Sequence, residues 1–274
     1  MTPPDTDTAS LQDGDISTAP VRQIDVARPL RWLSLGWRDF THAIVPSGLH
    51  GLLVACGGLA IIALAWGRFY LLAGALSGFL LVGPVLATGL YALSRRIAAG
   101  KPANWKAVID AWRSSCSCVL GFGLILVVIG TFWVLVSALL IALFVDENIT
   151  DATGFLREVV LTRDSHFFEA WMALGGVLAA LVFAGSVVSI PMMLDRDVDL
   201  PTAVLTSLQA VAANPVALAL WATIIMLLTV LGMATLFLGL IVIVPVLGHA
   251  SWHAYAELVD PSALPARSAE PSHD

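Results

Sequence analysis

Two histidines four residues apart, His249 and His253, carry the sharpest chemical signal in the chain. On a helix that spacing puts both imidazoles on one face, an arrangement used for metal or haem ligation. They also stand beside Trp252 and Tyr255 at the end of the last apolar run, where interfacial anchoring is the preferred reading. His50, near the start of the first apolar run, falls at a similar depth. Arg95 and Arg96 close the second run, and Asp195, Arg196 and Asp197 close the fourth. Those acids, with Asp199, precede an amphipathic segment, so they suit capping of its N-terminus, with pairing to Arg95 or Arg96 as a further option. Cys116 and Cys118, two residues apart, point to different sides of a helix and, like Cys56, read as packing residues. No phosphate-binding loop, nucleophile elbow or zinc-protease spacing occurs, so no enzyme and no catalytic residue is expected.

What must position these groups is a membrane protein. Apolar residues make up 58% of the 274-residue chain and charged residues only 12%, too few to cover a water-soluble domain. The net charge of −6 comes from acids in tails and loops. Not one Asp, Glu, Lys or Arg occurs from Leu200 to Ala256, a stretch long enough for two bilayer crossings. Residues 1–27 are rich in Thr, Pro and Asp and predict a disordered tail without a cleavable signal peptide. Residues 28–259 predict the transmembrane domain, and residues 260–274 a second disordered tail.

Six spans are expected: Leu49–Trp66, Phe69–Leu93, Cys118–Val145, Ala170–Leu194, Val216–Met233 and Ala234–Tyr255. A single helix across the last two would be about 60 Å long, twice the hydrocarbon thickness, so a hairpin turning near Gly232 is preferred to five spans. Basic residues fix the orientation. Arg22, Arg28, Arg31, Arg38, Arg95, Arg96, Lys101, Lys106, Arg113, Arg196 and Arg267 fall on one side, against Arg68, Arg157 and Arg163 on the other. Both termini are therefore expected in the cytoplasm, with one sizeable acidic outer loop from Asp146 to Glu169.

Each outward span follows an amphipathic segment. Leu30, Leu33, Trp37, Phe40 and Ile44 share one helical face, as do Trp105, Val108, Ile109 and Trp112, and Val204, Leu205, Leu208 and Val211. Such helices lie in the headgroup plane or extend the spans inward. The expected fold is thus all-α, with six transmembrane helices as three parallel-repeat hairpins, each preceded by a short interfacial helix. A Gly-to-Pro offset recurs in the inward spans, at Gly78 and Pro84, Gly185 and Pro191, and Gly239 and Pro245.

Several strings carry a family likeness: Gly36 to Phe40, Gly78 to Pro84, Leu90-Tyr91 with Ser94 to Arg96, Ser189 to Asp197, Asn214-Pro215, and Gly248 to Tyr255. Over about residues 28 to 259 the chain resembles the bacterial membrane family known as domain of unknown function 2189. The resemblance implies a multi-pass protein of the bacterial cytoplasmic membrane and brings no activity or site residues with it.

Within the spans the polar interruptions are Ser and Thr, which serve helix packing, and ionisable groups for proton or ion coupling are lacking at depth. A non-catalytic scaffold or accessory subunit is therefore expected, with the lipid bilayer and other membrane proteins as partners, no nucleic acid and no cofactor. Its oligomeric state stays open. The alternatives are a carrier for a neutral or lipidic molecule, and a haem or metal site on His249 and His253. Ligand or partner contact is expected on the cytoplasmic face, among His50, Arg95, Arg96, Asp195, Arg196 and Asp197.

Overall fold

The computed structural model describes residues 18–66, 69–113, 117–144, 154, 166–265 and 267. The first 17 residues, Cys116, the last residues and nearly all of the expected acidic loop lie outside them. The described residues are helical: α1 (Arg28–His42), α2 (Ile44–Leu64), α3 (Phe69–Leu81), α4 (Gly83–Leu86), α5 (Thr88–Ala98), α6 (Trp105–Arg113), α7 (Ser117–Phe144), α8 (Phe167–Ser186), α9 (Ser189–Asp195), α10 (Leu200–Ala213), α11 (Pro215–Ala234) and α12 (Leu240–Leu258). Prolines start α1, α10 and α11, where a missing N–H costs nothing, and Asp199 caps α10 by accepting the Thr202 N–H at 3.0 Å.

Among the described residues, four stretches are long and apolar enough to cross a membrane: Ile44–Leu64, Ser117–Phe144, Phe167–Asp195 and Pro215–Ala234. The expected second span is broken into α3, α4 and α5 around Pro84, whose ring removes a donor from the helical ladder. At the lower break the Leu90 N–H turns to the Ala87 carbonyl, releasing the Leu86 carbonyl from its ordinary i+4 partner. The break between α8 and α9 lies just before Pro191. There the Val188 N–H reaches the Ser207 hydroxyl at 3.2 Å, and that hydroxyl donates to the Ala184 carbonyl at 2.6 Å. In hydrocarbon, broken backbone survives only where protein supplies such partners.

The expected sixth span is α12, which starts later than its apolar run suggests and keeps Pro245 inside it. The turn before it is also displaced. Gly232 remains helical and packs on Leu240, while Leu236 and Phe237 take positive φ of 53° and 65°. That conformation costs an L-residue about 1–2 kcal/mol. The Phe237 ring, buried against Gly58 and Ala55, offsets it by anchoring the turn to α2.

Each short amphipathic helix packs on a segment at or beyond one of these breaks or prolines: α6 on α5, α10 on α8 and α9, and α1 on α12. α2 also packs on α12, and α3 on α7. Close approach explains two glycines. A Cβ on Gly36 would meet the Val246 carbonyl oxygen at 2.5 Å, and one on Gly51 would overlap Ile241. Ile241 lies four residues before Pro245, so Gly51 admits the carbonyl that this proline leaves without a helical donor.

α1 packs on protein through a face beside its apolar stripe. Pro29, Trp32, Gly36, Asp39 and Phe40 are buried, whereas Leu30, Trp37 and Ile44 are exposed. The boundary of the N-terminal tail moves as well. Residues 18–27, assigned to that tail from composition, run against the end of α12: Val21 bridges Val259, and the Arg22 N–H donates to the Leu258 carbonyl at 2.8 Å. Asn214 holds the same segment through Ile24 and Arg22, and Arg22 pairs with Asp260 at 3.0 Å. Residues beyond 259 continue into a short 3-10 turn, Pro261–Ala263.

A buried polar network at one end of the helices

The end where α5, α9 and α12 terminate, the polar end, holds a chain of hydrogen bonds through four helices. Asp39 of α1 sits on the buried side of that helix, away from Arg31 and Arg38. Its Oδ2 accepts from Ser94 Oγ at 2.7 Å and from His253 Nε2 at 2.8 Å. The proton order follows from the carboxylate, which only accepts. Ser94 spends its proton on Asp39, so its oxygen accepts from His249 Nδ1–H at 2.7 Å. His249 Nε2 is then the acceptor, and Ser47 Oγ donates to it at 2.9 Å. Ser47, Ser94 and His249 have no exposed surface, and Asp39 retains 4%. Burial by itself raises the Asp39 carboxyl's pKa, but hydrogen bonds from His253 and Ser94, with the nearby imidazoles, hold it below the ordinary value.

His253 thus bonds Asp39 directly, and His249 reaches the same carboxylate through Ser94. Both His249 ring nitrogens are engaged by hydroxyls. Among the described residues no three His, Cys, Asp or Glu side chains are grouped to hold a metal. A hydroxyl donating to an imidazole is also the geometry of an activated nucleophile. Here Ser47 is sealed by packing, so the contact ties α2 to α12.

His50 stands apart from this chain. Its Nε2 donates to the Leu86 carbonyl, the one released at the α4–α5 break, and its Nδ1 is buried without a hydrogen-bond partner among the described residues. A side chain of α2 therefore repairs the broken helix beside it.

The remaining candidates form a second cluster. Asp195 accepts from the Tyr255 hydroxyl at 3.0 Å and pairs with Arg196 at 3.2 Å. Arg95 approaches it but donates to the Leu194 carbonyl, a helix-end acceptor, and not to the expected carboxylate. Arg96 donates to the Pro102 carbonyl at 2.7 Å. The Asp197 N–H donates to the Pro265 carbonyl at 3.2 Å, and Arg267 donates to the Met193 carbonyl at 2.7 Å. Near the chain entry, Arg28 and Trp32 both bond Glu257.

Sequence reasoning missed Ser47, Ser94 and Asp39 as members of the site. For Asp39 a signal existed: on a helical wheel it falls with Trp32 and Gly36, opposite the solvated side. For the two serines there was none, because serines at the ends of apolar runs serve packing just as well.

No curated protein and no solved structure matched this chain. Residues 71–195, from α3 through α9, match the family model described as predicted integral membrane protein. Over that stretch, which contains both broken helices and contributes Ser94 to the network, the chain is similar to the integral membrane family of unknown function designated DUF2189.

Proposed function

We propose that this protein is a non-catalytic scaffold or accessory subunit of the bacterial cytoplasmic membrane, crossing it six times with both termini in the cytoplasm. In this reading α3 to α5 make the second crossing despite their breaks, and α12 makes the sixth. The 19 residues of α12 span about 28 Å, close to the hydrocarbon thickness. Three hairpins follow, and their pairing is cyclic: α6 sits on the inward leg before it, α10 likewise, and α1 closes the ring on α12. Full threefold symmetry would add extensive packing of α11 on α8, and the described residues of those two helices do not make it.

The observation that carries the scaffold reading is the mutual satisfaction of the buried ionisable groups of the network. Asp39, Ser94, His249 and Ser47 bond one another, and none of them lines the apolar groove between α1, α11 and α12. That groove, of about 470 Å³, is lined chiefly by apolar side chains. Long faces of α7 meanwhile present Leu124, Leu135 and Leu139 outward, as a lipid- or helix-facing surface does. Photo-crosslinkers placed at Leu124 and Leu139 in the native membrane should capture a discrete protein band. Products with lipid alone would count against a scaffold.

The breaks at Pro84 and Pro191 favour a second reading, a carrier for a neutral or lipidic molecule, since weakened inward helices supply mobile elements. A haem or metal on His249 would have to displace Ser47 or Ser94, and an absorption spectrum of the purified protein tests it directly.

A further inference from the structure

The repeat of the amphipathic helices extends to their surface chemistry. Setting Leu30 of α1 on Trp105 of α6 aligns Arg31 with Lys106, Trp37 with Trp112 and Arg38 with Arg113. The buried positions agree in the same register: Trp32 and Gly36 in α1, Ala107 and Ala111 in α6. In α10 the matching buried pair is Ala203 and Ser207, but Thr202 and Gln209 stand where the cations would be. Two of the three helices therefore carry an exposed basic pair seven residues apart, about 10 Å along the axis, with an exposed tryptophan beside the second cation.

These four cations differ from the other charges of the polar end. Arg22, Arg28 and Arg196 make ion pairs, and Arg95 and Arg96 bond carbonyls. Arg31, Arg38, Lys106 and Arg113 make no ion pair among the described residues. In α6 an exposed acid, Asp110, lies between the two cations, whereas the acid of α1, Asp39, is buried and bonds Ser94 and His253. Beside its cations α1 also lines the apolar groove, through Leu30, Leu33 and Trp37, against Leu228, Val242 and Val246.

We propose that α1 docks an anionic phospholipid, its phosphate held at the Arg31 and Arg38 edge and an acyl chain lying in the groove between α1, α11 and α12. A row of cations beside a row of apolar side chains fits a molecule that is anionic at one end and hydrocarbon at the other. An acidic protein would use the cations and leave Leu30 and Trp37 without a partner. The α6 pair offers a weaker copy of the headgroup site, tempered by Asp110, and α10 offers none. The inference rests on α1 lying at a membrane boundary and does not depend on the scaffold reading.

The test uses the full chain in phosphatidylcholine nanodiscs doped with a minor fraction of brominated phosphatidylglycerol or brominated phosphatidylcholine. The Trp37 signal is the fluorescence lost in Trp37→Phe. Brominated phosphatidylglycerol should quench it at a mole fraction about tenfold lower than brominated phosphatidylcholine. Arg31→Gln with Arg38→Gln should bring the two curves together, and Arg31→Lys with Arg38→Lys should keep them apart. Gln209→Ala should change nothing. Equal quenching by both lipids in the unaltered chain would overturn the proposal, as would a preference that survives loss of both arginines. The first comparison needs only the conservative Trp37→Phe as its subtraction, so it decides even if the arginine variants do not fold.

Discussion

The two ends of the helix bundle are built on different terms. At the polar end, Leu90, Leu93, Ile190, Met192, Met193 and Leu258 are fully or almost fully buried, and the hydroxyls and imidazoles among them bond one another. At the opposite end, Leu64 is 84% exposed, Leu143 65% and Leu236 77%. Helices in lipid gain no hydrophobic energy by packing apolar surfaces together, so leucine-rich ends can stand apart. Where the chain must be held to one arrangement, it uses directed polar contacts and close backbone approach.

That contrast predicts the largest loss at Asp39. Asp39→Ala should destabilise the detergent-solubilised protein by about 3–5 kcal/mol, because it takes the acceptor from Ser94 and His253. Denaturant unfolding followed by tryptophan fluorescence reads it. The pH dependence has a definite sign. A carboxyl whose folded pKa is depressed adds stability above its unfolded pKa and loses it as pH falls through the folded value. Asp39→Asn should therefore flatten the acid limb of a stability-against-pH curve, and an unchanged acid limb would show that Asp39 titrates normally.

A smaller effect is expected from Gly36→Ala. The new methyl would press on Val246 and Ala250, costing about 1–3 kcal/mol, while Gly121→Ala, with open space around it, should be neutral or slightly stabilising. Equal midpoints for the two variants would mean that α1 and α12 are not held at close range. Ser207→Ala removes one partner from the α8–α9 break and should cost about 1–2 kcal/mol. Least of all, Leu143→Ala at the apolar end should shift stability by about 0.5 kcal/mol or less.

The helical elements are largely legible in the sequence. The 3–4 spacing of Leu30, Leu33 and Trp37 marks α1, and the uncharged run after Leu200 marks α11 and α12. What escapes a sequence reading is tertiary. Nothing local marks Leu236 and Phe237 as the turn, because Phe237 holds that conformation through Gly58, a residue far away in sequence. Composition assigns residues 18–27 to a tail, but backbone pairing with Val259 and Asp260 needs no hydrophobic pattern. Spacing finds His249 and His253 but not their partner, since Asp39 lies 210 residues or more away and reaches them only once α1 folds onto α12.

The central claim is that the polar network is closed and binds the helices to one another. Ser47→Cys in a chain with Cys56, Cys116 and Cys118 replaced by Ala puts a thiol of nearly the same size at the sealed end of that network. Native membranes treated with a small maleimide should leave it unlabelled, with full labelling after solubilisation in dodecyl sulfate. Rapid labelling in the native membrane would contradict the account, by revealing a water-filled path to His249 and so a ligand or transport site where a structural tie is inferred.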